Sequence, residues 1–227
     1  MPSSNLTFKR NCDIFLHCAR IKLENWPLVT YNVFMKIIFR QILIILFLIT
    51  AILPSFAADD YTVMKKDIIA LYNSNNLQDA YLLIAKVPEE QRDADLWLIL
   101  ANITQDYDKE LDSIFLLQKA IAVDPTYYKG YYNLGNLYLK DNKIVKAINN
   151  YELAIKYNKE FPYSYYNLGI CHYKDGNYSK AKFNFLKAIK LKPTEQNFYY
   201  NLALTYKKMN NKKMAEKALM SYNALSK

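Results

Sequence analysis

Cys171 and His172 stand side by side, and a thiol next to an imidazole is the pairing that nucleophilic catalysis uses. Neighbouring residues on a helix point about 100° apart, so such a pair does not converge if this stretch is helical. His172 also fills the slot that Tyr138 and Tyr206 fill 34 residues before and after it, which reads as a packing position. Cys12, His17 and Cys18 offer three metal ligands, but their segment has no sustained apolar pattern from which to build a core, so they read as incidental. The carboxylates between residues 106 and 112 lie at a helix boundary, where Asp and Glu favour the N-terminal turn. They lack the setting of a calcium loop or of a paired acid and base. No catalytic residue, no metal site and no cofactor is therefore expected.

Composition narrows the field in the same direction. Of 227 residues only 4 are Gly, against 21 Tyr, and phosphate-cradling loops, dinucleotide folds and hairpin-rich proteins all need Gly at set points. Hydrophobic residues make up 52%, enough for a packed core. With 30 Lys+Arg and 21 Asp+Glu the formal charge is +9.

The elements that would position any site begin after an export signal. From Met35 the chain reads Lys36 and Arg40, a twelve-residue run from Ile42 to Leu53 broken only by Thr50, then Pro54 and Ser55-Phe56-Ala57. A basic end, an apolar stretch and small residues before a cut are the three regions of a secretory signal peptide. A transmembrane anchor is the other reading, but twelve residues of helix span ~18 Å against a ~30 Å hydrocarbon core. Residues 35–57 are thus expected to be removed, with no stable membrane span afterwards, leaving the product in the periplasm or secreted. Residues 1–34 then form an upstream extension, either disordered or a mis-assigned start ahead of Met35, with an extended targeting region as the functional alternative. Beyond residue 57 the only Cys is Cys171, so no internal disulfide is available.

The rest of the chain repeats. Tyr-Tyr-Asn-Leu-Gly at 131–135 recurs 34 residues later at 165–169, and Tyr-Tyr-Asn-Leu-Ala follows at 199–203, again 34 on. Ala120, Ala154 and Ala188 share one phase, and Pro125 and Pro193 share another. Within each unit, positions such as Tyr131, Leu134, Gly135 and Tyr138 fall at i, i+3, i+4 and i+7, which is one helical face. Ala147, Tyr151 and Ala154 hold a face of a second helix, and turns are marked by Asp141-Asn142 and Gly176-Asn177. Gly135 and Gly169 each cost ~1 kcal/mol in a helix, a loss that close approach of a neighbouring helix would offset. One such pair cannot bury its apolar side, so stacked neighbours must supply the core. The expected fold class is an all-α solenoid of antiparallel helix pairs.

These residues resemble the tetratricopeptide repeat family, whose pattern is Trp-x2-Leu-Gly-x2-Tyr, then Ala-x3-Phe, Ala and Pro. Residues 94–227 divide into four such units, 94–127, 128–161, 162–195 and 196–227, preceded by a degenerate one at 58–93. In that degenerate unit Ala80 is one place out of phase and Pro88 comes early. The resemblance implies a concave groove lined by the first helices at positions 2, 5, 6, 9, 12 and 13 of each unit. Here those positions supply Tyr132, Tyr166 and Tyr200, then Asn133, Asn167 and Asn201, then Lys140, Lys174 and Lys208, with Lys129, Asn136 and Asn102 extending the row. Asn offers a donor and an acceptor together, which suits an extended peptide backbone, and Lys favours an acidic one. The two-carboxylate clamp of chaperone-binding members is not reproduced, since only Lys129 fits its basic positions.

Charge is uneven along the repeats. Residues 58–127 hold 6 Lys+Arg against 13 Asp+Glu, or −7, while residues 128–227 hold 18 against 6, or +12. The expected role is a non-enzymatic scaffold that binds a protein or peptide, an acidic one if the Lys row takes part. No recognised nucleic-acid motif is present. The alternative is a structural homo-oligomer joined through its acidic and basic halves. If the export signal is cut as expected, mass analysis of the native protein will show a mature chain that begins at Ala58. Recovery of intact residues 1–57 from the cytosol would overturn that assignment.

Overall fold

The computed structural model describes Gln41, residues 61–106 and residues 110–225. The chain divides into two compact units, Met1–Val63 and Met64–Lys227. The upstream extension and all of the export signal except Gln41, which is helical and exposed, lie outside the described residues, as do Tyr107, Asp108 and Lys109.

The second unit opens with helix α1 (64–73 within this unit), followed by α2 (Leu77–Ala85) and a 3-10 turn at Glu89–Gln91. Four pairs then succeed one another: α3 (Ala94–Asp106) with α4 (Glu110–Val123), α5 (Tyr128–Lys140) with α6 (Ile144–Tyr157), α7 (Pro162–Lys174) with α8 (Tyr178–Leu191), and α9 (Gln196–Lys208) with α10 (Lys212–Leu225). No strand occurs among the described residues. Each helix packs most closely on the other member of its pair, and each second helix next on the first helix of the following pair. This is the all-α solenoid that the 34-residue period implies.

The short links within pairs follow from local chemistry. Asn142, Gly176 and Asn210 occupy the same place in successive units and all have positive φ, at 57°, 78° and 56°. Asn and Gly are the residues that tolerate that left-handed conformation. The residue after each one closes the helix end with a bond from its N–H to a carbonyl five residues back, as Lys143 does to Tyr138 at 2.8 Å and Asn177 to His172 at 2.8 Å. Links between pairs are held by tyrosine. The Tyr131 hydroxyl donates to the Pro125 carbonyl at 3.1 Å and the Tyr199 hydroxyl to that of Pro193 at 3.0 Å.

Within a pair the decisive contact joins a glycine to an aromatic ring. A Cβ added at Gly135 would lie 2.6 Å from Cε1 of Tyr151, and one at Gly169 would lie 2.7 Å from Cε1 of Phe185. Both rings are fully buried. The close approach expected at these glycines is therefore made by a ring on the second helix of the same unit. Where the ring is replaced by an aliphatic residue, the glycine becomes alanine: Ala101 shares a cluster with Leu117, and Ala203 is in phase with Leu219. Ser113, which stands where the other units have Ala147, Ala181 and Ala215, is buried and shares a 2.8 Å hydrogen bond with Thr104.

Replacing Gly135 by Ala should therefore lower stability by up to ~2 kcal/mol, because overpacking at ~1–3 kcal/mol offsets or outweighs the ~1 kcal/mol gain in helix propensity. In a Tyr151→Leu background the same change should be neutral or favourable. A urea double-mutant cycle measures the coupling, and strict additivity would show that ring and glycine do not interlock.

Candidate peptide-binding face

The first helices bring the expected Tyr-Asn row together, but as bonded rungs between units. Nδ2 of Asn167 on α7 donates to the Tyr132 hydroxyl at 3.3 Å and to Oδ1 of Asn136 at 2.8 Å, both on α5. Nδ2 of Asn201 on α9 donates to the Tyr166 hydroxyl on α7 at 2.7 Å and to its own helix at the Asn197 carbonyl. Asn136 also accepts from the Tyr151 hydroxyl at 2.8 Å. Asn133 has no such rung, because the matching residue on α3 is Leu98, and its amide donates instead to the Lys129 carbonyl at 2.8 Å. All three Asn side chains are half-buried, and two have their donors committed to the preceding repeat. At all three positions the Asn carbonyl oxygen accepts no hydrogen bond from a described residue.

The remaining members of the row divide by environment. Tyr132 and Tyr166 are half-buried, and burial pushes both phenols up despite the Asn amides that bond them. Tyr200 is exposed and lies against the Tyr222 ring, with centroids 5.4 Å apart. Lys140, Lys174 and Lys208 are exposed in the last turns of α5, α7 and α9. Lys129 is drawn into an ion pair, its Nζ 3.7 Å from Oδ1 of Asp95. The Asp95 carboxylate also accepts from the Tyr127 hydroxyl at 2.6 Å and pairs with Lys65 at 3.2 Å. Burial works against ionisation of Asp95, yet Tyr127, Lys65 and Lys129 together hold its carboxyl below the ordinary value.

Aromatic residues absent from the expected row join these elements. Phe161 meets the Tyr132 ring edge-on at 5.0 Å and the Tyr163 ring at 5.5 Å, and Phe198 lies 4.7 Å from Tyr166. Tyr163 sits at position 2, one of the positions the family uses, and its hydroxyl donates to Glu195 at 3.1 Å while accepting from Lys192. Position alone could have brought Tyr163 into the row. Phe161 and Phe198 face it only because the units stack as they do.

Cys171 and His172 do not form a nucleophilic pair. Cys171 is fully buried, which pushes its thiol up to about 12, so it carries no thiolate at neutral pH. His172 is buried, and its Nδ1 has no hydrogen-bond partner among the described residues. Those residues hold no cluster of three or more potential metal ligands, and no helix among them is long and apolar enough to cross a membrane. The Cys12, His17 and Cys18 set lies outside them.

Known proteins agree with this fold. Family models described as tetratricopeptide repeat match residues 162–195, 116–149 and 184–218, and one described as TPR repeat matches residues 135–176. Residues 116–218 carry tetratricopeptide repeats. Among solved structures it is similar to MamA AMB-1, at 20% identity over 73% of this chain and 91% of that one, with a TM-score of 0.60. It is also similar to a crystal structure of MamA, at 23% identity over 69% and 92% with a TM-score of 0.62. A MamA RS-1 double mutant matches at 15% identity over 73% and 93%, with a TM-score of 0.64. At these identities the likeness is one of fold. No curated protein matches the sequence significantly.

Burial, helped by Lys180, lowers the pKa of His172 from 6.5. The folded chain therefore keeps the ring neutral while the unfolded chain takes up a proton near 6.5, so this residue makes stability fall as pH drops below about 6.5. His172→Tyr, the residue of the sister repeats, should flatten that part of the profile. Melting temperatures measured from pH 7.5 to 5.5 check it, and equal slopes for both proteins would refute it.

Proposed function

We propose that this tetratricopeptide-repeat scaffold is exported to the cell envelope and holds an extended, acidic segment of a partner protein along its first-helix face. The observation that carries this reading is the repeated rung. At each rung the Asn amide is spent on the preceding Tyr, while the Asn carbonyl oxygen stays available to a ligand N–H. Successive carbonyls at a fixed repeat suit the backbone N–H groups of an extended chain, each bond contributing ~0.5–1.5 kcal/mol net. Exposed Lys140, Lys174 and Lys208 run beside them and favour carboxylates on the partner.

Tetratricopeptide-repeat scaffolds are generally non-enzymatic, and we assign this chain no catalytic step and no cofactor. The buried thiol and the neutral, buried imidazole agree with that assignment. Nucleic acid is not proposed as a partner. Location in the periplasm rests on the signal-like segment 35–57; among the described residues no helix is long and apolar enough to cross a membrane.

Replacing Lys140, Lys174 and Lys208 together by Ala should weaken capture of the envelope partner at low salt and leave the melting temperature nearly unchanged, because these side chains are exposed and their charges are screened beyond ~8–10 Å. Asn201→Ala should instead lower both capture and stability, the latter by ~0.5–1.5 kcal/mol, since its amide bonds Tyr166. Pull-down and thermal melts on the same preparations separate the two effects. Undiminished capture by both variants would move the binding surface away from this face.

A further inference from the structure

Two features lie away from the first-helix face, and their charges behave in opposite ways. The first is a cavity of about 680 Å³ lined by Tyr81, Ile84, Trp97, Leu100, Phe115 and Leu116 among others. It is left open because α2 has only 9 residues, where α4, α6, α8 and α10 each have 14, and Pro88 starts a 3-10 turn soon after α2. The charges there are spent on one another: Glu89 lies 3.9 Å from both Arg92 and Lys119, and both cations also stand over the Trp97 ring. The second feature is the outer face of α6, α8 and α10, where the charges are not spent.

Helix α8 shows the pattern in full. Phe183, Leu186, Lys187 and Lys190 fall at i, i+3, i+4 and i+7, with Lys180 three residues earlier, so they share the face turned away from the buried Ala181, Phe185 and Ala188. All five are exposed, Phe183 by 58% and Leu186 by 43%. Two of these lysines recur 34 residues earlier on α6, as Lys146 and Lys156 beside the exposed Val145, and α10 carries Lys213 and Lys217 at the places of Ser179 and Phe183. Those places stay open on α6 and α8 although another helix pair follows each of them, so the exposure belongs to the register of the repeat. Together the three helices hold nine lysines and two carboxylates, Glu152 and Glu216. No ion pair joins any of the nine to a carboxylate among the described residues. Lys146, Lys156 and Lys187 lie instead over aromatic rings, Lys187 over that of Phe183 at 5.8 Å.

We propose that this outer face rests on the surface of an anionic lipid bilayer, its lysines meeting lipid phosphates while Phe183 and Leu186 enter the headgroup layer between them. All 18 cations of residues 128–227 are Lys and none is Arg. Protein interfaces favour Arg, whose flat fork pairs a carboxylate through two bonds, and are poor in Lys. Flexible, separately hydrated ammonium groups suit a fluid array of phosphates that offers no fixed geometry. Two exposed apolar side chains set among the lysines fit the boundary with the acyl chains, the lysine stems lying along them while the heads reach the phosphates. The inner side of α8 is packed in the solenoid, so side chains enter the bilayer surface and the helix itself does not. The contact uses neither the Asn carbonyls nor the Lys row of the first-helix face and stands whether or not that face binds a peptide.

Cosedimentation of the full chain with vesicles tests it. Wild type should bind vesicles of mixed phosphatidylglycerol and phosphatidylcholine, bind pure phosphatidylcholine far less, and be released by high salt. Lys180→Gln with Lys187→Gln and Lys190→Gln should weaken binding to the anionic vesicles roughly a hundredfold at low salt. Phe183→Ser with Leu186→Ser should weaken it roughly tenfold and leave the salt dependence in place. All five side chains are exposed, and circular dichroism and melting check that each variant folds. Lys140→Gln with Lys174→Gln and Lys208→Gln removes the same charge from the first-helix row and should weaken binding far less. Equal loss from the two lysine triples would overturn the proposal, since the attraction would then belong to net charge and not to this face. Binding to neutral vesicles as tight as to anionic ones, as insertion of the apolar run 42–53 would give, would overturn it too. So would a chain that ignores the anionic vesicles, and its binding of poly-glutamate would then assign the face to an acidic protein.

Discussion

The ring of Tyr151 lies against the bare backbone of Gly135, and the ring of Phe185 against that of Gly169. This interlock sets how near the two helices of a unit can come, and the rest of the solenoid follows from that spacing. A glycine in mid-helix is a local loss, yet at these sites any Cβ would strike a fully buried ring. Size is conserved across the pair: Ala101 goes with Leu117 where Gly135 goes with Tyr151. The Leu-Gly or Leu-Ala step in each first helix and the large residue midway along its second helix are thus two halves of one packing decision.

Fixed spacing within units lets the first helices of successive units exchange polar bonds. Asn167 reaches Tyr132 and Asn201 reaches Tyr166, each across one repeat. The row therefore has a double role. Its amide donors hold the stack together, and its carbonyl oxygens remain for a ligand. A face built this way couples recognition to stability, since a change that removes the amide also loosens the rung. The lysine row lies outside that coupling and can tune affinity without disturbing the stack.

Polar groups that could suggest chemistry are handled structurally. Asp95 is a junction at which Lys65, Tyr127 and Lys129 meet, tying the degenerate first repeat to the two that follow. It also consumes the one lysine placed at a clamp-like position. Cys171 and His172 are neighbours in sequence but are buried in a helix, one protonated and the other neutral for the same reason, the cost of placing charge out of water.

Several features could be read from residues alone because they depend on windows no longer than one repeat. Helical periodicity, the left-handed turns at Asn142 and Gly176, and the need for something to approach Gly135 and Gly169 are all local or nearest-neighbour matters. The 34-residue spacing identified the solenoid because stacking is the one way such pairs can bury their apolar sides. What the residues could not specify is which partner each polar group chooses across units. Asn133, Asn167 and Asn201 each follow Tyr-Tyr and precede Leu, but Leu98 stands opposite the first while tyrosines stand opposite the others, and that pairing depends on the rotation between repeats. The cavity over Trp97 is likewise a tertiary outcome. Pro88 announces an early stop, but only packing decides that the space beyond α2 stays open, because closing it would take a turn of helix the chain does not have.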